Sequence, residues 1–463
     1  MSALERADIQ GNVVRGYGYG LGHARYVVAR VRDPSAARRW VAAQAEPVTT
    51  ALEWETTPPS AYNLALSFAG LRALEVPGQI LESFPADFRE GMQARSERLG
   101  DVGPSAPALW DEALRGEGMH VVATMHAADA TTLEREAALV REGLRAGGLD
   151  VVAEQPAGLL GGNREHFGFT DGFGQPAIAG EAREAVAGQG VPVRWWPWTG
   201  LRREIKRSES DRRVGWRALA AGEFVLGYDD EDGGRPAAPA RPFQRNGTFM
   251  VWRKLRQDVA GFRAFLVEAA SSTGLDADTV AAKLVGRWPD GSPLVLRPHG
   301  PDAALGDDRA CVNDFAYARA DPDGMRCPRG AHVRRTNPRD ALGWGGRLTA
   351  RHRILRRGMP YGDPLASGVG DDGADRGLIF VCLQASIERQ FEIVQTQWCN
   401  DGDAFGLGRA PDPLAGSVSG PARVTIPGDP PRYATAMASF VSTRGGEYLF
   451  VPGITSLRAF AEM

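Results

Sequence analysis

The stretch Gly247-Thr248-Phe249-Met250-Val251-Trp252-Arg253-Lys254-Leu255, followed by Gln257-Asp258-Val259-Ala260-Gly261-Phe262-Arg263-Ala264-Phe265-Leu266, is a short apolar run feeding a segment of helical spacing. The same grammar stands near the start of the chain. There Tyr26-Val27-Val28-Ala29-Arg30-Val31 is short and rich in β-branched residues, and it runs into Pro34-Ser35-Ala36-Ala37-Arg38-Arg39-Trp40-Val41, whose alanines suit a helix. A second pair repeats it. His120-Val121-Val122-Ala123-Thr124-Met125 leads into a helical 130–145, as Gly377-Leu378-Ile379-Phe380-Val381-Cys382-Leu383-Gln384 leads into 387–398. Strand–helix units at comparable places in both halves predict two similar α+β domains, each a sheet with helices on one face, rather than one doubly wound sheet.

Length agrees, because 463 residues exceed the roughly 250–300 at which one core stops growing. The charged stretch Arg203-Glu204-Ile205-Lys206-Arg207-Ser208-Glu209-Ser210-Asp211-Arg212-Arg213 marks the boundary, giving domains 1–212 and 213–463. Residues 229–242 and 401–431 read as exposed loops. A hydrophobic fraction of 43%, a charged fraction of 24% and a net charge of -3 are those of an ordinary globular protein, and no strongly basic domain points to nucleic acid. No run approaches the ~18 apolar residues of a membrane span. The amino terminus lacks an apolar signal core and a twin-arginine pair, so a cytoplasmic location is expected. Cys311, Cys327, Cys382 and Cys399 are far apart and form no C-x-x-C pair, which argues for free, mostly buried thiols rather than disulfides or zinc.

Three segments carry chemistry. In Cys327-Pro328-Arg329-Gly330-Ala331-His332-Val333-Arg334-Arg335-Thr336-Asn337-Pro338-Arg339 a histidine stands among Arg329, Arg334, Arg335 and Arg339. An imidazole flanked by guanidiniums suits haem, which needs an iron ligand and counter-ions for two propionates, yet the segment alone is equally a basic surface turn. Gly168-Phe169-Thr170-Asp171-Gly172 places an aspartate where glycines let the backbone turn sharply and approach a flat ligand, although a self-satisfied turn is the commoner identity of such a run. In Arg351-His352-Arg353-Ile354-Leu355-Arg356-Arg357-Gly358 the arginines could equally oppose the dipole at a helix C-terminus. One imidazole, one carboxylate and one guanidinium are the minimum equipment of a peroxidase.

The conjunction is specific. From Asp8-Ile9-Gln10-Gly11-Asn12 to Arg444-Gly445-Gly446-Glu447-Tyr448-Leu449-Phe450-Val451-Pro452-Gly453 the chain closely resembles the dye-decolorizing peroxidase family of haem proteins. The resemblance implies a pair of ferredoxin-like domains of the dimeric α/β barrel type, each an antiparallel sheet with helices, the second holding most of a haem b. It places the distal acid/base on Asp171, the distal arginine on Arg356 and the iron ligand on His332. Arg335, Arg339 and Gly172 join His332 as cofactor-binding positions. Some members carry asparagine two residues after the distal arginine, where this chain has Gly358.

The same resemblance implies reduction of hydrogen peroxide through a ferryl intermediate and oxidation of dyes, phenols or other small aromatic reductants. Asp171, with an ordinary pKa near 3.9 and an arginine beside it, implies an acidic optimum. A carboxylate on the other nitrogen of His332 would strengthen the iron ligand, and Glu388, just after the strand at 377–384, is the candidate. Trp195, Trp196, Trp198, Trp252, Trp344 and Trp398 are candidate surface oxidation sites, each more commonly a packing residue. Two alternatives stay open on the same scaffold: a haem carrier or haem-responsive protein, which would have no use for a distal acid/base pair, and a peroxide-dependent biosynthetic haem oxidase. Self-association into a homo-oligomer is also left open.

Overall fold

Three of the strand-to-helix switches are made by an aspartate. Asp33, Asp129 and Asp258 cap the helices that follow them, their carboxylates accepting the amides of Ala36, Thr132 and Gly261. Each such cap is worth about 1 kcal/mol and leaves the preceding residues free to stay extended. The computed structural model describes residues 3–463 except 182–185, 196–201, 204–213, 419 and 421. In it the first half runs β1 (His23–Val31), α1 (Pro34–Ala43), β2 (Ser60–Ser67), β3 (Val121–Ala127), α2 (Ala130–Ala146) and β4 (Leu149–Gly158). The second half runs β5 (Thr248–Gln257), α3 (Val259–Thr273), the short α4 (His332–Thr336), β6 (Leu355–Arg356), β7 (Met359–Tyr361), β8 (Gly377–Gln384) and β9 (Val441–Val451).

Strand order is β2-β3-β1-β4 in the first half and β7-β8-β5-β9 in the second, all pairs antiparallel. These are the same order, that of a ferredoxin-like unit, met twice. The units are fused side by side where β9 pairs β2 through Leu449 with Ser67 and Phe450 with Leu66. The outermost strands β7 and β4 also pack on each other, so the sheet curls into a barrel. The charged stretch at 204–213 lies outside the described residues.

The period-2 pattern decides what faces where. Met250 and Trp252 of β5 join Tyr26, Val28, Val122, Ile379, Val381 and Leu449 in a core inside the barrel. Phe249 and Val251 point the other way, into a core shared with α1, α2, Phe84, Phe88 and Phe450. Residues 253, 255 and 257 continue on that outer face. There the sheet is not covered by a helix but walls a cavity.

Residues 401–431 are not one exposed loop. Ala422–Ile426 pairs with Arg432–Met437 as a hairpin packed against α3, and Asp412 within the segment is fully buried. The helix expected at 387–398 forms as two wide-turned pieces, Ile387–Glu392 and Val394–Cys399. Cys327, Cys382 and Cys399 are buried and Cys311 is exposed, all as free thiols.

Candidate active site

One cavity of about 330 Å³ is lined by Asp171, His332, Arg339 and Arg356 together, from positions as much as 185 residues apart. The loop bearing Asp171 follows β4. Glu165 folds it back: its carboxylate accepts the amides of Phe167 at 2.8 Å and Phe169 at 2.9 Å, and Arg164 bridges Thr170. Gly172, at φ +87°, turns its amide onto Asp171 Oδ1 at 2.6 Å, a conformation that favours glycine. Gly172 therefore shapes the carboxylate's surroundings and does not line the cavity.

Arg356 lies on β6, and its Nη1 donates to Asp171 Oδ1 at 2.9 Å. The two side chains keep 37% and 45% of their accessible surface because they face the cavity. Burial by itself would push Asp171 upward. The Arg356 charge, the Gly172 amide and the Arg356 hydrogen bond outweigh it, and the carboxyl is held below its ordinary range. A carboxylate ready to accept a proton in acid thus sits against a fixed positive charge.

His332 opens α4. Its Nδ1 faces both oxygens of Asp412 at 3.1 Å, and the two amides of Leu414 and Ala415 at 2.8 Å hold Asp412 Oδ1 in place. With Nδ1–H donated to a carboxylate, the lone pair is left on Nε2, the arrangement of a metal-binding imidazole. Burial opposes a proton on His332, but Asp412 outweighs it and raises the pKa.

Two expectations are corrected here. The carboxylate that meets His332 Nδ1 is Asp412 and not Glu388, whose side chain is more than half exposed and pairs with Arg98 at 2.9 Å. The strand at 377–384 aims Glu388 outward, while an irregular segment carries Asp412 back under His332. Arg335 does not reach the cavity either. It is buried and donates to the carbonyls of Gly330, Trp398, Asp401 and Ala410, pinning the segment that contains Asp412. Local pattern offered no sign of Asp412, since it stands 80 residues from the histidine it serves.

The cavity is rich in cations. Arg287, Arg339, Arg353 and Arg356 all line it. Burial and the charge of Arg339 push Arg287 down to about 10, and burial with Arg339 and Arg356 pushes Arg353 down to about 9. Arg353 Nη2 and Asn337 Oδ1 are buried without a hydrogen-bond partner. Such a surplus of guanidinium calls for an anionic ligand. Among the described residues no cluster of three or more His, Cys, Asp or Glu could hold a metal ion unaided. A lone imidazole in an apolar, cation-edged slot therefore suits a metal brought inside a flat, anionic macrocycle, and the residues present fit haem.

The tryptophans divide by burial. Trp252 is in the barrel core and Trp398 is buried edge-on to His352, whereas Trp344 is 76% exposed. Trp195 ends the strand Val191–Trp195, and Trp196 and Trp198 lie outside the described residues. Gly358 has no room for a side chain, as a Cβ there would stand 2.2 Å from the Ile379 carbonyl oxygen.

Residues 24–153 match the family described as the DyP dimeric alpha+beta barrel domain, and 295–407 match Dyp-type peroxidase, C-terminal. The chain is 30% identical to a dye-decolorizing peroxidase of Auricularia auricula-judae, over 98% of this chain and 87% of that one. It is 32% identical to the multifunctional dye peroxidase DyP2 of Amycolatopsis sp., over 81% of this chain and 78% of that one. Among solved structures, the fungal DyP-type peroxidase from Auricularia auricula-judae superposes with a TM-score of 0.82 at 25% identity, covering 100% of both chains. A dye-decolorizing peroxidase in complex with 2,6-dimethoxyphenol superposes with a TM-score of 0.80 at 26% identity, covering 99% of this chain and 100% of that one. Among the described residues no helix is long and apolar enough to cross a membrane.

Proposed function

This chain belongs to the dye-decolorizing peroxidase family, and from that premise we propose that His332 is its iron ligand, Asp171 its distal proton carrier and Arg356 its distal cation. The protein is a haem peroxidase acting on dyes and aromatic donors. Haem supplies an iron that takes two electrons' worth of oxidation from peroxide and recovers those electrons one at a time from donors. We take it to be haem b held without covalent attachment, because none of the four cysteines stands in the C-x-x-C-H pattern of thioether-linked haem.

His332 would present Nε2 to the metal while Asp412 accepts from Nδ1–H, which fixes the ring and strengthens the nitrogen as a donor. Asp171, ionised well into acid, accepts a proton from hydrogen peroxide and returns it to the departing oxygen, which leaves as water. Arg356, donating to Asp171 Oδ1, keeps that carboxylate ionised and steadies negative charge on the peroxide oxygens as their bond breaks. Arg339 and Arg353, which line the cavity, would hold the carboxylates of the macrocycle. Small phenols and other aromatic reductants are the donor class.

The single observation carrying this reading is the 2.9 Å Asp171–Arg356 pair in one cavity with a carboxylate-backed histidine. The test is a set of single variants in haem-loaded protein. His332→Ala is expected to lose the ferric Soret band unless imidazole is supplied. Asp171→Ala is expected to keep the band and react with peroxide about 10² to 10⁴ times more slowly. A haem that stays bound to His332→Ala with an unchanged spectrum would overturn the ligand assignment. A haem that ignores peroxide in the unsubstituted chain would favour a carrier.

A further inference from the structure

The backbone of Asp171 is clamped by a neutral amide that itself sits in an unusual conformation. Asn163 closes the turn 160–163, donating its N–H to the Leu160 carbonyl at 3.1 Å, and its φ is +55°, where asparagine is tolerated better than most residues. Its carbonyl accepts the N–H of Asp171 at 3.1 Å, and its Nδ2 donates to the Asp171 carbonyl at 2.8 Å. Both polar groups of the Asp171 backbone therefore end on one residue.

The clamp has its own anchor. Asn163 Nδ2 also donates to the Tyr19 hydroxyl at 3.1 Å, and that hydroxyl accepts from Arg309. The Arg309 guanidinium stands 5.2 Å over the Tyr19 ring and 4.5 Å over Phe173, which lines the cavity. Gln175 does for the partner what Asn163 does for Asp171: its Oε1 accepts the backbone N–H of Arg356 at 3.0 Å. Two uncharged amides on one loop thus hold the main chain under the two charged groups.

Among the described residues the carboxylate is hydrogen-bonded only by the Gly172 amide and Arg356, and neither ties the peptide planes from which it hangs to another segment's backbone. Rotation of those planes would carry the carboxylate away from the peroxide oxygens, where an error of about 1 Å can cost up to a hundredfold. We infer that Asn163, anchored by Tyr19, is a positioning residue that sets Asp171 for proton transfer. This rests on the reading of Asp171 as the distal proton carrier.

The test uses Asn163→Gly, which keeps the left-handed backbone and removes only the amide, in the haem-loaded protein. Its kcat/KM for peroxide should fall about tenfold to a hundredfold, with the ferric Soret band and the KM for a small phenolic donor unchanged. Cyanide binding to the ferric protein should slow in parallel, since hydrogen cyanide must give up its proton to the same carboxylate. In an Asp171→Ala background the Asn163→Gly change should cost nothing further. Full peroxide and cyanide rates in Asn163→Gly, or an equal loss in both backgrounds, would overturn the clamp while leaving Asp171 its role. Full rates in Asp171→Ala alone would overturn the underlying reading instead. Should Asn163→Gly fail to hold haem, Tyr19→Phe removes the anchor at the surface. It is expected to show a smaller loss with the same dependence on Asp171, and its absence would count against the clamp.

Discussion

Replacing Arg356 by glutamine should move the acid limb of the peroxide reaction upward. The guanidinium stands 2.9 Å from Asp171 Oδ1. Two unit charges about 4 Å apart interact by about 4 kcal/mol at an effective dielectric of 20. Here the side chains keep 37% and 45% of their accessible surface, so solvent in the cavity screens much of that. What remains is on the order of 1 kcal/mol in favour of the ionised carboxylate. The sign comes from burial, which raises Asp171, and from Arg356, which is the largest opposing influence. With the cation gone burial loses its largest opponent, the carboxyl climbs, and the base form is lost as pH falls through that higher pKa.

Stopped-flow measurement of the ferric protein reacting with peroxide between about pH 3 and pH 7 reads this directly. The unsubstituted chain should hold its rate to the acid end, Arg356→Lys should keep most of that behaviour, and Arg356→Gln should show a new acid limb at higher pH. A uniformly slower Arg356→Gln with an unmoved limb would refute the reasoning, because the limb would then belong to another group.

The same geometry sets three other outcomes. Asp412→Asn should weaken haem retention about 10- to 100-fold, measured as haem transfer to a scavenger protein, whereas Glu388→Gln should leave it alone. Arg353→Met should raise the melting temperature of the haem-free protein by removing a buried cation with an unpartnered nitrogen, and should lower haem affinity; a drop in apoprotein stability would contradict the surplus-charge account. Gly358→Asn, the residue that some relatives carry, should cost about 1–3 kcal/mol or more in denaturant unfolding, because its Cβ would meet the Ile379 carbonyl oxygen at 2.2 Å.

The repeated strand–helix grammar was legible because it is local. A β-branched run, an aspartate cap and a helical spacing are neighbours in sequence, and the same trio at 26–41 and 247–266 forms β1–α1 and β5–α3. The fusion of β9 to β2 was not legible, as it joins residues near 450 to residues near 66 and no pattern in either strand names its partner. The same divide runs through the site. Asp171, His332 and Arg356 stand in motifs whose residue types show their chemistry. Arg335 stands in one too, yet its side chain ends on backbone carbonyls, because a buried guanidinium goes wherever acceptors are unsatisfied.

By itself, then, the amino-acid order determined two α+β units, the trio of imidazole, carboxylate and guanidinium, and through them the haem chemistry. Only the tertiary structure decided which carboxylate backs His332, which arginines face the cavity and which residue holds the main chain of Asp171. Asp412 reaches His332 from 80 residues away, and Asn163 clamps Asp171 through a left-handed turn. Short-range preferences are written in the identity of adjacent residues. Contacts between distant segments depend on where packing of the whole sheet and its loops brings them, and the proton-handling geometry of this protein is made of such contacts.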